Sequence, residues 1–235
     1  MLKVDFHLHT ADDPVDRIPH TALDLIDRAS ALGFDALAIT LHDRQCDLRH
    51  LVEYACDRGL VLIPGVERTL AGKHVLLVNF PVAAASVESF EDLARLKRAH
   101  PQGLVIAAHP FYPHPSCLRR LMDVHGDLFD AVEVNAFYTR AFDFNRAAVR
   151  WARSRGRPVV GNSDAHRLSI FGATYSLVDA DRDATGICDA VRRGQVSVRT
   201  RPLSPLEAGT YFAQMSMGGG RRGVRATVVA EASQG

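Results

Sequence analysis

Short apolar, β-branched runs alternate with longer stretches of helical period along most of the chain. Residues 2–6, 36–40, 60–64, 74–80, 104–108, 131–134, 158–161 and 173–178 read as strands. Between them, residues 20–32 carry Leu23, Ile26, Ala29 and Leu32 at helical spacing and stop at Gly33. Residues 48–56 form a second helical pattern stopped by Gly59, and 87–99 a third, with Ser86 or Ser89 as its N-cap. Further helices are predicted over 116–124, 141–155 and 184–193. Strands alternating with helices of this length predict βα units around a parallel sheet. No linker-like shift in composition occurs before residue 200, so 1–200 reads as one domain. Residues 201–235 read as a C-terminal extension, partly disordered from 214 onward (QMSMGGGRRGVRATVVAEASQG).

An open dinucleotide-binding sheet would carry G-x-G-x-x-G after its first strand. Here the first strand runs into H-L-H-T instead. A closed barrel places its site at the C-terminal ends of its strands, and that is where the polar residues of this chain concentrate.

Composition narrows the function further. The chain has 235 residues, 47% of them hydrophobic and 23% charged, an ordinary globular balance. Its net charge of +1 argues against a protein built chiefly to grip nucleic acid or anionic membrane. Aromatics at 7% are too sparse for a base-stacking platform. No apolar run approaches the ~20 residues that span a bilayer, and MLKVDFHLHT lacks the features of a signal peptide. Cys46, Cys56, Cys117 and Cys188 form no C-x-x-C pair and read as reduced thiols of a cytoplasmic protein. Histidine is the unusual count, at eleven.

His7 and His9 flank Leu8 at the end of the first strand, so both side chains point to one face and can share a metal ion. His42 follows the second strand and Glu67 the third. His74 opens the fourth, and His109 follows the fifth. Asp164 and His166 follow residues 158–161, again two apart. An apolar core would not repeatedly choose such groups at the ends of buried strands, because each costs several kcal/mol unpaired. Coordination at roughly 2.0–2.2 Å removes that penalty. His50, His100 and His125 lie in or beside helices and read as surface residues. Glu133 reads as a supporting group inside its strand, and Asn135 as one that orients a ligand or touches substrate. His114 is a minor candidate for a proton donor, while Tyr138 and Phe111 read as packing residues.

The motifs D-F-H-L-H-T, A-I-T-L-H-D, P-G-V-E, A-A-H-P and G-N-S-D-A-H, in that order, resemble the PHP (polymerase and histidinol phosphatase) family over roughly residues 2–195. The resemblance implies an α/β fold, a distorted (β/α)7 TIM-like barrel. It also implies two or three divalent ions (Zn, Mn or Fe) and hydrolysis of a phosphomonoester or phosphodiester by in-line attack of a metal-activated hydroxide. Carried over, His7, His9, Glu67 and Asp164 would hold one ion, and Glu67 would bridge to a second held by His74 and His109. A third would take His42, His166 and a residue of the first loop. Asp16 is the first choice for that position and Asp13 the second, ahead of Asp12 and His20.

One departure is evident. The family's T-D-H reads Thr40-Leu41-His42, so the acid before His42 is missing, with Asp43 a nearby carboxylate. Arg44, Arg68 and Arg140 lie beside the motifs and could fork onto substrate phosphate. The expected partner is a phosphorylated small molecule or a short oligonucleotide, with no membrane and no protein partner. Two alternatives compete. An amidohydrolase-type C–N hydrolase also opens with H-x-H and commonly bridges its metals with a lysine, and Lys3, Lys73 and Lys97 are poorly placed for that. A non-catalytic scaffold module would have shed metal ligands that this chain keeps. The arginines at 192, 193, 199, 201, 221, 222 and 225 leave room for a nuclease.

Overall fold

One nine-stranded sheet, in the order β7-β6-β5-β4-β3-β2-β1-β8-β9, curls into a nearly closed barrel in the computed structural model, which describes residues 1–218. The remainder of the expected extension, with Arg221, Arg222 and Arg225, lies outside the described residues. The strands are β1 (Leu2–Leu8), β2 (Ala36–Ile39), β3 (Val61–Leu70), β4 (Lys73–Val78), β5 (Leu104–Ala107), β6 (Ala131–Asn135), β7 (Val159–Asn162), β8 (Thr174–Val178) and β9 (Val196–Thr200). The helices are α1 (Ala22–Ala31), α2 (Val52–Cys56), α3 (Phe90–Ala99), α4 (Leu121–His125), α5 (Asn145–Ser154), α6 (Ala184–Arg192) and α7 (Pro205–Gly218). Ser89 rather than Ser86 caps α3, in a capping box with Asp92, and Thr21 does the same for α1 with Asp24.

The barrel expected from the sequence is present, but its sheet is mixed and carries two extra strand segments. β3 continues to Leu70 and turns through Ala71 and Gly72, both at positive φ, directly into β4. A two-residue connection makes a hairpin and cannot make a parallel crossover, so β4 runs antiparallel to β3 and β5. β8 is antiparallel to β1, and β9, which the half-exposed sequence Val196–Thr200 did not announce, pairs antiparallel with β8. Beyond β9, Leu203 and Tyr211 are buried in the core cluster that also contains α1 residues Leu25 and Ile26.

Closure is made by polar groups. The Phe6 amide donates to Asn162 Oδ1 at 3.0 Å, and the Ser163 amide donates to the Asp5 carboxylate at 3.1 Å. The Gly161 amide donates to Ser176 Oγ at 2.9 Å. These contacts bring β7 back against β1 and β8. The interior is a cluster that includes Val4, Phe6, Ile63, Leu76, Ile106 and Val160. Ile187, Cys188, Ala190 and Val191 of α6 pack into it. Arg192 of α6 reaches the Gly103 carbonyl just before β5, so α6 covers the barrel end from which β5 starts.

A register shift in β1 between Asp5 and Leu8 matters for the opposite end. The extra residue lets Phe6 join the apolar interior while His7 and His9 also face inward. Among the described residues, no helix is long and apolar enough to cross a membrane.

Candidate metal centre

Glu67 sits on β3 at the barrel mouth, 1% exposed, with five imidazoles around its carboxylate. Its Oε2 lies 3.2 Å from His7 Nε2, 3.3 Å from His9 Nε2 and 3.2 Å from His42 Nε2. Its Oε1 lies 2.7 Å from His74 Nδ1 and 3.3 Å from His109 Nε2. Because β4 is antiparallel, His74 at its start reaches the same end as residues at the close of the parallel strands.

Asp164 closes one group. Its Oδ1 is 3.4 Å from His7 Nε2 and 3.3 Å from His9 Nε2. Together with Glu67 Oε2, four ligand atoms are thus spaced 3.2–3.4 Å apart along the measured edges. Bonds of 2.0–2.1 Å arranged tetrahedrally about one ion separate neighbouring ligands by about 3.3–3.4 Å. His7 Nε2, His9 Nε2 and Asp164 Oδ1 are buried and make no hydrogen bond, and the same holds for His74 Nδ1. Buried polar atoms are ordinarily paired, so this convergence fits a bound cation.

A second group comprises Glu67 Oε1, His74 and His109, with Asp164 Oδ2 3.9 Å from His109 Nε2. A third lies toward the first loop. Nitrogens of His9, His42 and His166 fall within 4.8 Å of one another. Asp16 Oδ2 is 3.0 Å from His166 Nε2 and 4.0 Å from His42 Nδ1. The structure therefore brings together His7, His9, Asp16, His42, Glu67, His74, His109, Asp164 and His166.

The supporting groups are equally specific. Glu133 Oε1 is 3.0 Å from His7 Nδ1, and its Oε2 accepts from the His109 amide at 2.6 Å. Asn135 Nδ2 donates to Asp164 Oδ2 at 3.1 Å. Asn145, unremarked in the sequence, holds Asn135 by accepting from its amide and donating to its carbonyl, both at 2.9 Å. His109 and Asp164 adopt positive φ, 27° and 49°, a strained conformation these contacts sustain. His20 Nε2 is 2.9 Å from the His9 carbonyl, which places it outside the ligand groups. Asp13 lies 3.0 Å from Nδ1 of both His9 and His42.

Charge balance points the same way. Burial alone would raise the Glu67 carboxyl, but the charges of His74, His7 and His42 hold it well below the ordinary carboxylate range. Burial opposes charge on His7 and His9, yet the facing carboxylates raise both well above the usual imidazole value.

The three candidate arginines fare differently. By strand alternation Arg68 faces away from Glu67, and its guanidinium binds the Val87 carbonyl at 2.8 Å and Asp43 at 2.6 Å. It is not brought to the cluster. Arg44 and Arg140 are exposed and make no hydrogen bond or ion pair among the described residues. Leu41, in place of the family's acid, is buried in the core that includes Leu25 and Ile39.

Residues 142–196 match a PHP-associated family. No curated protein matches the sequence significantly. Among solved structures, PsfC from Pseudomonas syringae superposes with a TM-score of 0.65 at 22% identity, over 92% of this chain and 98% of its own. A two-domain protein from Bacteroides vulgatus containing a predicted PHP-like metal-dependent phosphoesterase gives 0.64 at 20% identity, over 85% of this chain and 65% of its own. The lesion-specific endonuclease PfuEndoQ from Pyrococcus furiosus gives 0.57 at 18% identity, over 84% of this chain and 57% of its own. This chain therefore spans under two thirds of the length of the Bacteroides and Pyrococcus proteins. The family match covers residues 142–196, and at 18–22% identity these structures show a shared fold.

Proposed function

We propose that the chain is a metal-dependent hydrolase acting on a phosphomonoester or phosphodiester. The observation that carries this reading is the set of buried ligand atoms of His7, His9, Glu67 and Asp164, spaced as neighbours about one cation. These four would hold one ion. Glu67 would reach a second with His74 and His109, and Asp16, His42 and His166 would form a third position. Bound divalent ions would supply a nucleophile at neutral pH and neutralise phosphate oxygens. The chain's own contribution is orientation. Glu133 and Asn135 fix the rings and carboxylates that face the reacting phosphate, and hydrogen-bond partners behind the ligands set their tautomer and angle. Arg44 and Arg140, unpaired and exposed, are the donors available for outer phosphate oxygens.

The amidohydrolase alternative needs a lysine at the cluster. Lys3 Nζ instead donates to the Leu32 carbonyl, Lys73 Nζ to that of Pro115, and Lys97 Nζ to Leu128 and Asp130. Glu67 occupies the bridging position. The four cysteines are free, which supports a reducing, cytoplasmic location.

Chelation followed by reconstitution tests the reading. Phosphate release is expected to vanish on chelation and to return with Zn, Mn or Fe, followed alongside elemental analysis. A protein that binds no divalent ion is the scaffold module instead. The substrate class is read from salt. An oligonucleotide loses affinity steeply with ionic strength, whereas a small phosphomonoester does so weakly. His125 stacks on Phe90 with ring centroids 3.9 Å apart, away from the cluster. His125→Ala is therefore expected to leave turnover within error, and a large loss would mean that the pocket is misplaced.

A further inference from the structure

Asp13 is fully buried in the first loop and collects five N–H groups. Its Oδ2 lies 3.0 Å from His9 Nδ1, from His42 Nδ1 and from the His42 amide. Its Oδ1 accepts from the amides of Val15 and Asp16, each at 2.9 Å. In both imidazoles the other nitrogen, Nε2, faces Glu67 Oε2, at 3.3 Å for His9 and 3.2 Å for His42. The two rings stack with centroids 4.6 Å apart. One carboxylate oxygen therefore holds two rings that arrive from different strands.

We propose that Asp13 is a positioning residue rather than a metal ligand. Both Oδ atoms are already filled by N–H donors, which leaves no lone pair directed at an ion. Accepting from Nδ1 fixes His9 and His42 in the Nδ1–H tautomer and presents Nε2 of each to the centre. His9 belongs to the group with His7, and His42 to the group with His166. Asp13 thus ties the geometry of two ion positions together. Its Oδ1 bonds also set the turn that brings Asp16 to His166. The proposal rests on the metal-centre reading above.

Asp13→Asn is the informative variant. The amide keeps the size of the side chain, but its NH2 cannot accept. Either the two imidazoles or the amides of Val15 and Asp16 must lose their partner. Long-range ¹H–¹⁵N spectra of the histidine rings report tautomers without reference to activity. In the wild-type protein loaded with Zn, His9 and His42 are expected as Nδ1–H. In Asp13→Asn those two signals shift or broaden while those of His7, which rests on Glu133, stay in place. Affinity for at least one ion equivalent is expected to fall about 10–100-fold. Circular dichroism checks that the variant folds. Unprotonated Nδ1 at His9 or His42 in the loaded wild type overturns the proposal, as do unchanged tautomers and affinities in Asp13→Asn. If the wild type binds no divalent ion, the metal-centre reading fails, and the same spectra of the ion-free protein still decide whether Asp13 holds both rings.

Discussion

Glu67→Gln is expected to reduce phosphoester turnover by about 10³-fold or more and to cost at least one equivalent of bound metal. At the barrel mouth Glu67 faces all three ligand groups. Its Oε2 is shared among His7, His9 and His42, and its Oε1 between His74 and His109. Glutamine fills the same volume, so packing against β4 is unaffected. Its NH2 group cannot coordinate, and one negative charge is lost from a centre where carboxylates hold five imidazoles. Losing several kcal/mol of transition-state stabilisation corresponds to a rate loss of about this size. Steady-state kinetics with elemental analysis of the same preparation measure both quantities. Normal hydrolysis by the variant, with full metal content, removes Glu67 from the mechanism and the ligand groups with it.

Most of the residues that converge at the barrel mouth were legible in the sequence for one physical reason. Donors at strand ends stand out against apolar strands, and the two-residue spacing of His7 and His9, like that of Asp164 and His166, puts each pair on one face. The same rule, applied to Glu67 and Arg68, already places the arginine on the other face, where Asp43 and Val87 hold it. What could not be read is geometry created by departures from regular strands. The irregular register in β1 lets Phe6 and His7 both turn inward, against simple alternation. The direction of β4 depends on the Ala71-Gly72 turn, and only that direction delivers His74 to Glu67. Asp13 and Asn145 act from loops and helix starts, where no periodicity marks a residue that supports ligands on two distant strands.

Gly161→Ala is expected to destabilise the protein by about 1–3 kcal/mol, through overpacking at the point where the barrel closes. An added Cβ would lie 2.7 Å from Val198 Cγ1 and 2.8 Å from the Tyr175 carbonyl oxygen. The carbonyl is backbone of β8 itself, paired there with β9, so it cannot swing aside as a flexible side-chain tip would. The antiparallel β8–β9 pair must back away, and the 2.9 Å bond from the Gly161 amide to Ser176 Oγ must stretch. For a chain of this size the loss corresponds to a fall in Tm of roughly 2–12 °C. The consequence reaches the cluster, because Asn162, Ser163 and Asp164 follow directly and tie β7 to Phe6 and Asp5. Weaker metal binding at the group containing Asp164 is therefore expected together with the lower Tm. Gly209→Ala is the control. Nothing lies within 4 Å of its added Cβ, and it sits inside α7, where alanine is the better helix former. Equal melting of Gly161→Ala and wild type would mean that β7 is not packed against the β8–β9 pair, and that Asp164 reaches the centre without that closure.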